Sequence, residues 1–130
     1  MTKYYLDACI WRDYLENRSD KFRPLGEWAF GLIKKIIDEE GLFVISDHLI
    51  NELKSNKIEE IVPNKLIVFV NFDYIQTRRA SKLSKKFRIP KGDALHAILA
   101  KDHNAILITR DNHFNKIYGY LDIMKPEDLI

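Results

Sequence analysis

Apolar positions along the chain switch repeatedly between the short runs of strands and the three-to-four spacing of helices. Residues 2–6 read as a short strand rich in Tyr and Leu, with Asp7 at its end. Residues 10–16 read as a short helix and 17–20 as a polar loop. The longest helical pattern covers residues 22–40, with Leu25, Trp28, Leu32 and Ile36 on one face and Phe30, Ile33 and Ile37 widening it. Gly41 is expected to stop that helix at its C′ position. The run 42–45 suits a strand buried on both faces. Ser46 and Asp47 are good N-caps for a helix through about Asn56. A short helix at 58–62 ends at Pro63-Asn64, and 66–70 reads as a strand. Residues 74–87 form a helix with Ala80, Leu83 and Phe87 inward. Pro90 and Gly92 open another helix to about His103. A strand at 105–109, a short helix at 112–118 and a strand at 121–124 complete the pattern.

Strands alternating with helices imply an α/β fold, with a parallel sheet covered on both faces. Ligands in such folds bind beyond the carboxyl ends of the strands. Functional residues should therefore follow strands or begin the next helices. The length, 130 residues, fits one domain over 1–130 and suffices for a core without disulfides. No membrane span is expected, since the longest apolar run is Leu66 to Val70. No secretory signal is expected either, because Asp7 interrupts the first apolar segment. Cys9 is the lone cysteine, which excludes an internal disulfide or a cysteine-based zinc cluster. A cytoplasmic location is the default that these features leave.

The net charge of +2 hides an asymmetry. Seven basic residues lie between Arg78 and Lys91 with no acid among them: Arg78, Arg79, Lys82, Lys85, Lys86, Arg88 and Lys91. The rest of the chain carries 14 basic and 19 acidic residues. A basic segment on an acidic body suits an anionic partner, although a solvated helix face has the same composition. Arg78, Lys82 and Lys85 share one helix face, and Lys91 continues toward Asp93.

Acids occupy the positions that the fold singles out. Asp7 ends the first strand, and Asp111 follows the strand at 105–109. Asp93 is in the first turn of its helix, and Glu52 is one to two turns into the helix after 42–45. Singly, each acid has a plain structural use at a helix end or in a surface pair. Together they place four carboxylates from four distant segments at one sheet edge. Such a cluster repels itself unless cations are present. Hard divalent cations with oxygen ligands, Mg²⁺ or Mn²⁺, resolve that repulsion and can promote phosphoryl chemistry. Thr109 is placed either to orient Asp111 or to contact a phosphate. His96 reads as a packed, hydrogen-bonded helix residue and Cys9 as a small buried one. His113 stands either at the cleft or in solvent.

Four strings resemble the PIN-domain family. They are Tyr5-Leu6-Asp7 with Trp11 and Tyr14-Leu15, Ile45-Ser46-Asp47 through Glu52-Leu53, Gly92-Asp93-Ala94-Leu95-His96-Ala97 with Ala100, and Ile108-Thr109-Arg110-Asp111 with Phe114. The closing Lys125-Pro126-Glu127-Asp128-Leu129-Ile130 is similar to the family's final segment. The resemblance implies a three-layer α/β/α sandwich with a central parallel sheet. It also implies Mg²⁺- or Mn²⁺-dependent cleavage of RNA, with Asp7, Glu52, Asp93 and Asp111 as both the catalytic and the metal-holding quartet. Many small members resemble VapC toxins, whose partners are VapB-like antitoxins; others process ribosomal RNA precursors or act as non-cleaving scaffolds. The chain departs from the family pattern at Ala8 and Cys9, where relatives often have a small polar residue, and at Asn112 and His113, where many carry another acid. Asn115 is a candidate neutral oxygen donor.

Two function classes compete. One is an endoribonuclease whose substrate is held by Thr109, Arg78, Lys82, Lys85 and Lys91. The other is a non-catalytic RNA-binding or regulatory scaffold. A phosphoryl-accepting receiver domain fits less well, because Asp7 stands alone and is followed by Ala8. A homodimer is expected from the helix at 22–40, whose apolar arc of Trp28, Leu32, Ile33, Ile36 and Ile37 exceeds what one sheet face covers.

Overall fold

A computed structural model describes residues 1–19, 23–55 and 57–130. Five strands form the sheet: β1 (Lys3–Leu6), β2 (Leu42–Ser46), β3 (Ile67–Val70), β4 (Ala105–Ile108) and β5 (Ile123–Met124). Their spatial order is β3-β2-β1-β4-β5, and every pairing is parallel. Helices α1 (Ala8–Leu15), α2 (Leu25–Asp38), α3 (Asp47–Leu53) and α4 (Ile58–Ile61) come before β3. Helices α5 (Tyr74–Phe87) and α6 (Lys91–Asp102) join β3 to β4.

The strand period of two sorts side chains between two cores. Tyr5, Val44, Ala105 and Leu107 pack with Ala80, Leu83, Ala94, Ala97 and Ile98 of α5 and α6. Leu6, Phe43, Ile45 and Ile108 pack instead with Ile10, Trp11, Leu32, Ile33 and Ile36 of α1 and α2. This is the three-layer α/β/α arrangement that the alternating pattern implies. No helix among the described residues is long and apolar enough to cross a membrane.

Four expectations need correction. Helix α2 begins at Leu25 after Pro24 and ends at Asp38, while Asp20 and Phe22 lie outside the described residues. Its left-handed C′ residue is Glu40 (φ 57°), not Gly41, and the Gly41 N–H donates to the Ile36 carbonyl at 2.9 Å. Gly41 serves close approach: a Cβ there would lie 2.9 Å from Ile36 and 3.1 Å from Tyr4. Helix α3 is capped by Ser46 and closes at left-handed Lys54, short of Asn56, which is also outside the described residues. Residues 112–117 form a 3₁₀ turn rather than an α-helix.

Most of the apolar arc of α2 is covered within the chain, and its Phe30–Ile37 side borders an open groove. Leu32, Ile33 and Ile36 are buried, Ile37 is partly buried, and Trp28 lies under the Arg110 guanidinium. Phe30, stacked on Tyr14, remains half exposed.

Candidate functional site

Parallel strands end at a common edge, so the residues after β1, β2 and β4 meet there. The Asp7 N–H extends the ladder by donating to Ile108 O at 2.9 Å, which fixes Asp7 at the lip. Its carboxylate is buried, 5% exposed, and its oxygens are engaged. Oδ1 accepts from Ala8 N at 2.6 Å, and Oδ2 accepts from Thr109 Oγ1 at 2.9 Å. The same Thr109 hydroxyl accepts from Asp111 N at 3.0 Å. Thr109 thus joins the ends of β1 and β4. It is buried, donating to Asp7 and accepting from Asp111 N, so it holds the two acids in register. Cys9 is partly buried beside Asp7, and burial with that neighbouring charge pushes its thiol up to about 12. That makes it a poor nucleophile.

Glu52 is held by histidines. His96 is fully buried, and its Nε2 lies 2.9 Å from Glu52 Oε2 and 3.7 Å from Asp7 Oδ1. Its Nδ1 meets Tyr5 Oη at 2.6 Å, and Tyr5 Oη meets Ser46 Oγ at 2.6 Å. Ser46 Oγ accepts from Leu49 N at 3.0 Å. Both ring nitrogens of His96 are therefore engaged, one by Glu52 and the other by the Tyr5–Ser46 pair. His48, one turn before Glu52 on α3, puts Nε2 3.4 Å from Glu52 Oε1 and 3.0 Å from the Gly92 carbonyl. Burial acts to raise the Glu52 carboxyl. The hydrogen bond and charge of His96, with His48 and Arg12, prevail and hold it below its usual range. Burial and the neighbouring His96 hold the His48 imidazole low. A Cβ at Gly92 would lie 3.2 Å from Glu52 Oε1, so this glycine lets the start of α6 approach α3.

Asp93 and Asp111 form the outer part of the cleft. His113 Nδ1 lies 2.8 Å from Asp93 Oδ2 and 3.1 Å from Asp111 Oδ1, and His113 N donates to Asp111 Oδ1 at 2.9 Å. Burial raises the Asp93 carboxyl; the His113 hydrogen bond opposes this, and the charges of Asp111 and Asp7 add to the rise. All four expected acids are thereby linked: Asp7 to Asp111 through Thr109, Asp7 to Glu52 through His96, and Asp93 to Asp111 through His113. Asn112 and Asn115 are exposed.

The sequence marks His96 as a packed residue, Ser46 as an N-cap and Tyr5 as part of the first motif, but it shows neither the His96–Glu52 bond nor a role for His48. The signals were the i,i+4 spacing of His48 with Glu52 and the i,i+3 spacing of Asp93 with His96. Arg110 was also passed over. It turns away from the acids, reaching Glu127 at 2.8 Å and Asp13 at 3.5 Å over the Trp28 ring. That anchors the loop between Thr109 and Asp111 to the closing turn, Pro126–Asp128.

The basic segment runs along α5 and into the start of α6, where Lys91 precedes Asp93 by two residues. Arg78, Lys82, Lys85 and Lys91 are exposed, whereas Arg79 is taken up in a two-pronged bond to Asp102 at 2.6 and 3.0 Å. Asp102 ends α6 and Asp93 begins it, so Arg78 lies toward the far end of the hairpin. Left-handed Arg88 turns the chain back into α6, bringing Lys85 and Lys91 toward the acids. Across the molecule, Tyr14, Phe30, Ile33, Ile37 and Ile61 line an open apolar groove of about 370 Å³.

The carboxylate and imidazole donors gathered here could hold a metal ion. Two clusters, His48-Glu52-His96 and Asp93-Asp111-His113, each hold ligand atoms within 4.8 Å of one another. A cation would also offset the repulsion that raises Asp93.

The PIN domain family matches residues 4–120. No curated protein matches the chain. Among solved structures, a toxin–antitoxin complex from Klebsiella pneumoniae aligns at TM-score 0.65 and 18% identity, over 95% of this chain and 97% of that one. VapBC2 from Rickettsia felis, bound to a DNA fragment from its promoter, aligns at 0.66 and 18%, over 95% and 98%. FitAcB from Neisseria gonorrhoeae aligns at 0.66 and 18%, over 97% and 99%. At such identities these likenesses speak for the fold.

Proposed function

The chain belongs to the PIN-domain family, and on that premise we propose that it is a metal-dependent endoribonuclease. The observation that carries this reading is the linkage of Asp7, Glu52, Asp93 and Asp111 at one sheet edge through Thr109, His96 and His113. In this reading the four acids hold Mg²⁺ or Mn²⁺. When bound, such a cation stabilises negative charge on a phosphodiester and makes water a stronger acid. Thr109 keeps Asp7 and Asp111 aligned, and His96 keeps Glu52 ionised and fixed. Lys91, Lys85, Lys82 and Arg78 hold backbone phosphates along the α5–α6 side, leading away from the cleft, without reading sequence. Cleavage leaves a 5′ phosphate and a 3′ hydroxyl.

We place this activity in the cytoplasm, in one domain over 1–130, as the toxin of a VapBC-like pair. The matched structures include complexes described as toxin–antitoxin, VapBC and FitAcB. The groove beside Phe30 suits an apolar segment of such an antitoxin. Self-association belongs to the same reading; its support is the exposed apolar side chains Phe69, Tyr74 and Ile75 at the β3 edge and the start of α5.

The test is cleavage of a mixed single-stranded RNA with Mn²⁺ and with chelator, using wild type and Asp93→Asn. Metal-dependent cleavage lost in the variant supports the reading. RNA binding with no cleavage under any metal would assign the scaffold role instead, and cleavage confined to ribosomal precursors would assign processing.

A further inference from the structure

The position of His113 goes beyond the acidic quartet. Its Nδ1 is approached by carboxylates from two separate elements, Asp93 of α6 at 2.8 Å and Asp111 after β4 at 3.1 Å. A neutral imidazole carries at most one hydrogen on that nitrogen, which can point at only one of the two oxygens. Asp111 Oδ1 already accepts from the His113 main-chain N–H at 2.9 Å, so it needs no second donor from the same residue. The three donor atoms nevertheless stay close, in the Asp93-Asp111-His113 cluster. Metal–ligand bonds of about 2.1 Å at right angles separate neighbouring donor atoms by about 3.0 Å. Both observed separations are close to that spacing. His113 is half exposed and its main chain is fixed by the Asp111 cap, so the ring can withdraw slightly without disturbing the core.

We infer that His113 is a metal ligand, supplying a nitrogen through Nδ1 beside the Asp93 and Asp111 carboxylates and biasing the site toward transition cations such as Mn²⁺ over Mg²⁺. The inference rests on the nuclease reading for the metal itself but adds a residue and a selectivity to it. On ligation the ring takes the tautomer with its hydrogen on Nε2, and the Nδ1 lone pair faces the ion. Imidazole nitrogen suits first-row transition ions, among which Mn²⁺ gains least but still tolerates it better than Mg²⁺, which keeps an oxygen shell. The buried pair His48 and His96 is a different source of nitrogen, already engaged with Gly92, Glu52 and Tyr5.

The test uses the whole chain and one metal at a time. Mn²⁺ and Mg²⁺ affinities are measured by calorimetry for wild type, His113→Asn and His113→Ala, and pulsed EPR on the Mn²⁺ form reads nitrogen coupling. His113 is half exposed and outside both cores, so the variants should keep the wild-type circular dichroism and Tm. The expected result is directly coordinated ¹⁴N in wild type that disappears in both variants. Mn²⁺ affinity should fall about tenfold or more, with Mg²⁺ affinity changing by less than about threefold. Nitrogen coupling that persists in the variants overturns the proposal and assigns the nitrogen to His48 or His96. Tight Mn²⁺ binding to wild type without nitrogen coupling overturns it while leaving the nuclease reading in place. If wild type binds neither ion, both fall together.

Discussion

The two halves of the cleft are built differently. In the inner half, Asp7 and Glu52 face buried partners: Thr109, Ala8 N and the Ser46–Tyr5–His96 chain. Their oxygens are engaged, and Glu52 is held below its usual range. In the outer half, Asp93 and Asp111 share one exposed histidine, and Asp93 is raised by burial and like charge. The inner half is therefore organised by the fold itself. The outer half carries neighbouring like charges that a bound cation would offset. Preorganised groups pay little reorganisation when a charged ligand arrives. The comparison suggests a rigid back wall and an adjustable front.

The strongest test attacks the back wall chemically. Asp7→Asn keeps the shape and hydrogen-bonding size but removes a charge; RNA cleavage with Mn²⁺ should fall about 1,000-fold, ~4 kcal/mol of barrier. A folded Asp7→Asn protein cleaving at the wild-type rate would remove the back wall from catalysis.

Next in size is a stability contrast. His96→Ala leaves the Tyr5 hydroxyl and Glu52 without their shared partner inside the core. It should cost about 2–4 kcal/mol in denaturant unfolding. His113→Ala, at the exposed front, should change stability by less than about 0.5 kcal/mol. Equal costs would erase the distinction between the halves.

Approach to the front should depend on salt. Reversing Arg78, Lys82 and Lys85 to Glu should weaken RNA binding about tenfold near 0.1 M salt. The slope of log affinity against log salt should flatten by roughly 0.7 per lost phosphate contact. Unchanged affinity and slope in a filter-binding or anisotropy titration would free this face for a protein partner or for solubility alone.

The smallest effect is a pair of opposite pH dependences in chelator. Asp93 has a raised folded pKa, so its charge destabilises the fold above the ordinary carboxylate range, and that cost vanishes below it. Asp93→Asn should therefore raise Tm by a few degrees at pH 7, about 1 kcal/mol or less, and by nothing near pH 3. Glu52 has a lowered folded pKa, so its stabilisation is present above the ordinary value and lost as pH falls through the folded one. Glu52→Gln should lower Tm at pH 7 and converge with wild type in acid. Shifts of the same sign would show that the two carboxyls do not sit in contrasting environments.

Much of this molecule is legible in its sequence. The runs at Leu42–Ser46 and Ala105–Ile108, and the helical spacing of Tyr74–Phe87, fix the alternation of elements because burial on both faces requires continuous apolar strands. That alternation yields the parallel sheet, and a parallel sheet brings Asp7 and Asp111 to one edge. Exact ends are less legible. Glu40 rather than Gly41 takes the left-handed turn because Gly41 is needed where Ile36 and Tyr4 close in, a contact between elements far apart in the chain.

What only the tertiary structure decided is the state of each acid. Nothing local in Tyr5, Ser46 or His96 indicates that they form one hydrogen-bonded chain ending on Glu52, because their separations along the chain are 41 and 91 residues. The same holds for Thr109, which reaches Asp7 across 102 residues, and for His113, which reaches Asp93 across 20. The coverage of α2 was likewise decided by packing: α1 and the closing turn bury Leu32, Ile33 and Ile36, while Phe30 keeps an open side. Residue type and spacing set which groups reach the sheet edge. Desolvation and hydrogen-bond direction, which depend on neighbours in space, set what those groups are once they arrive.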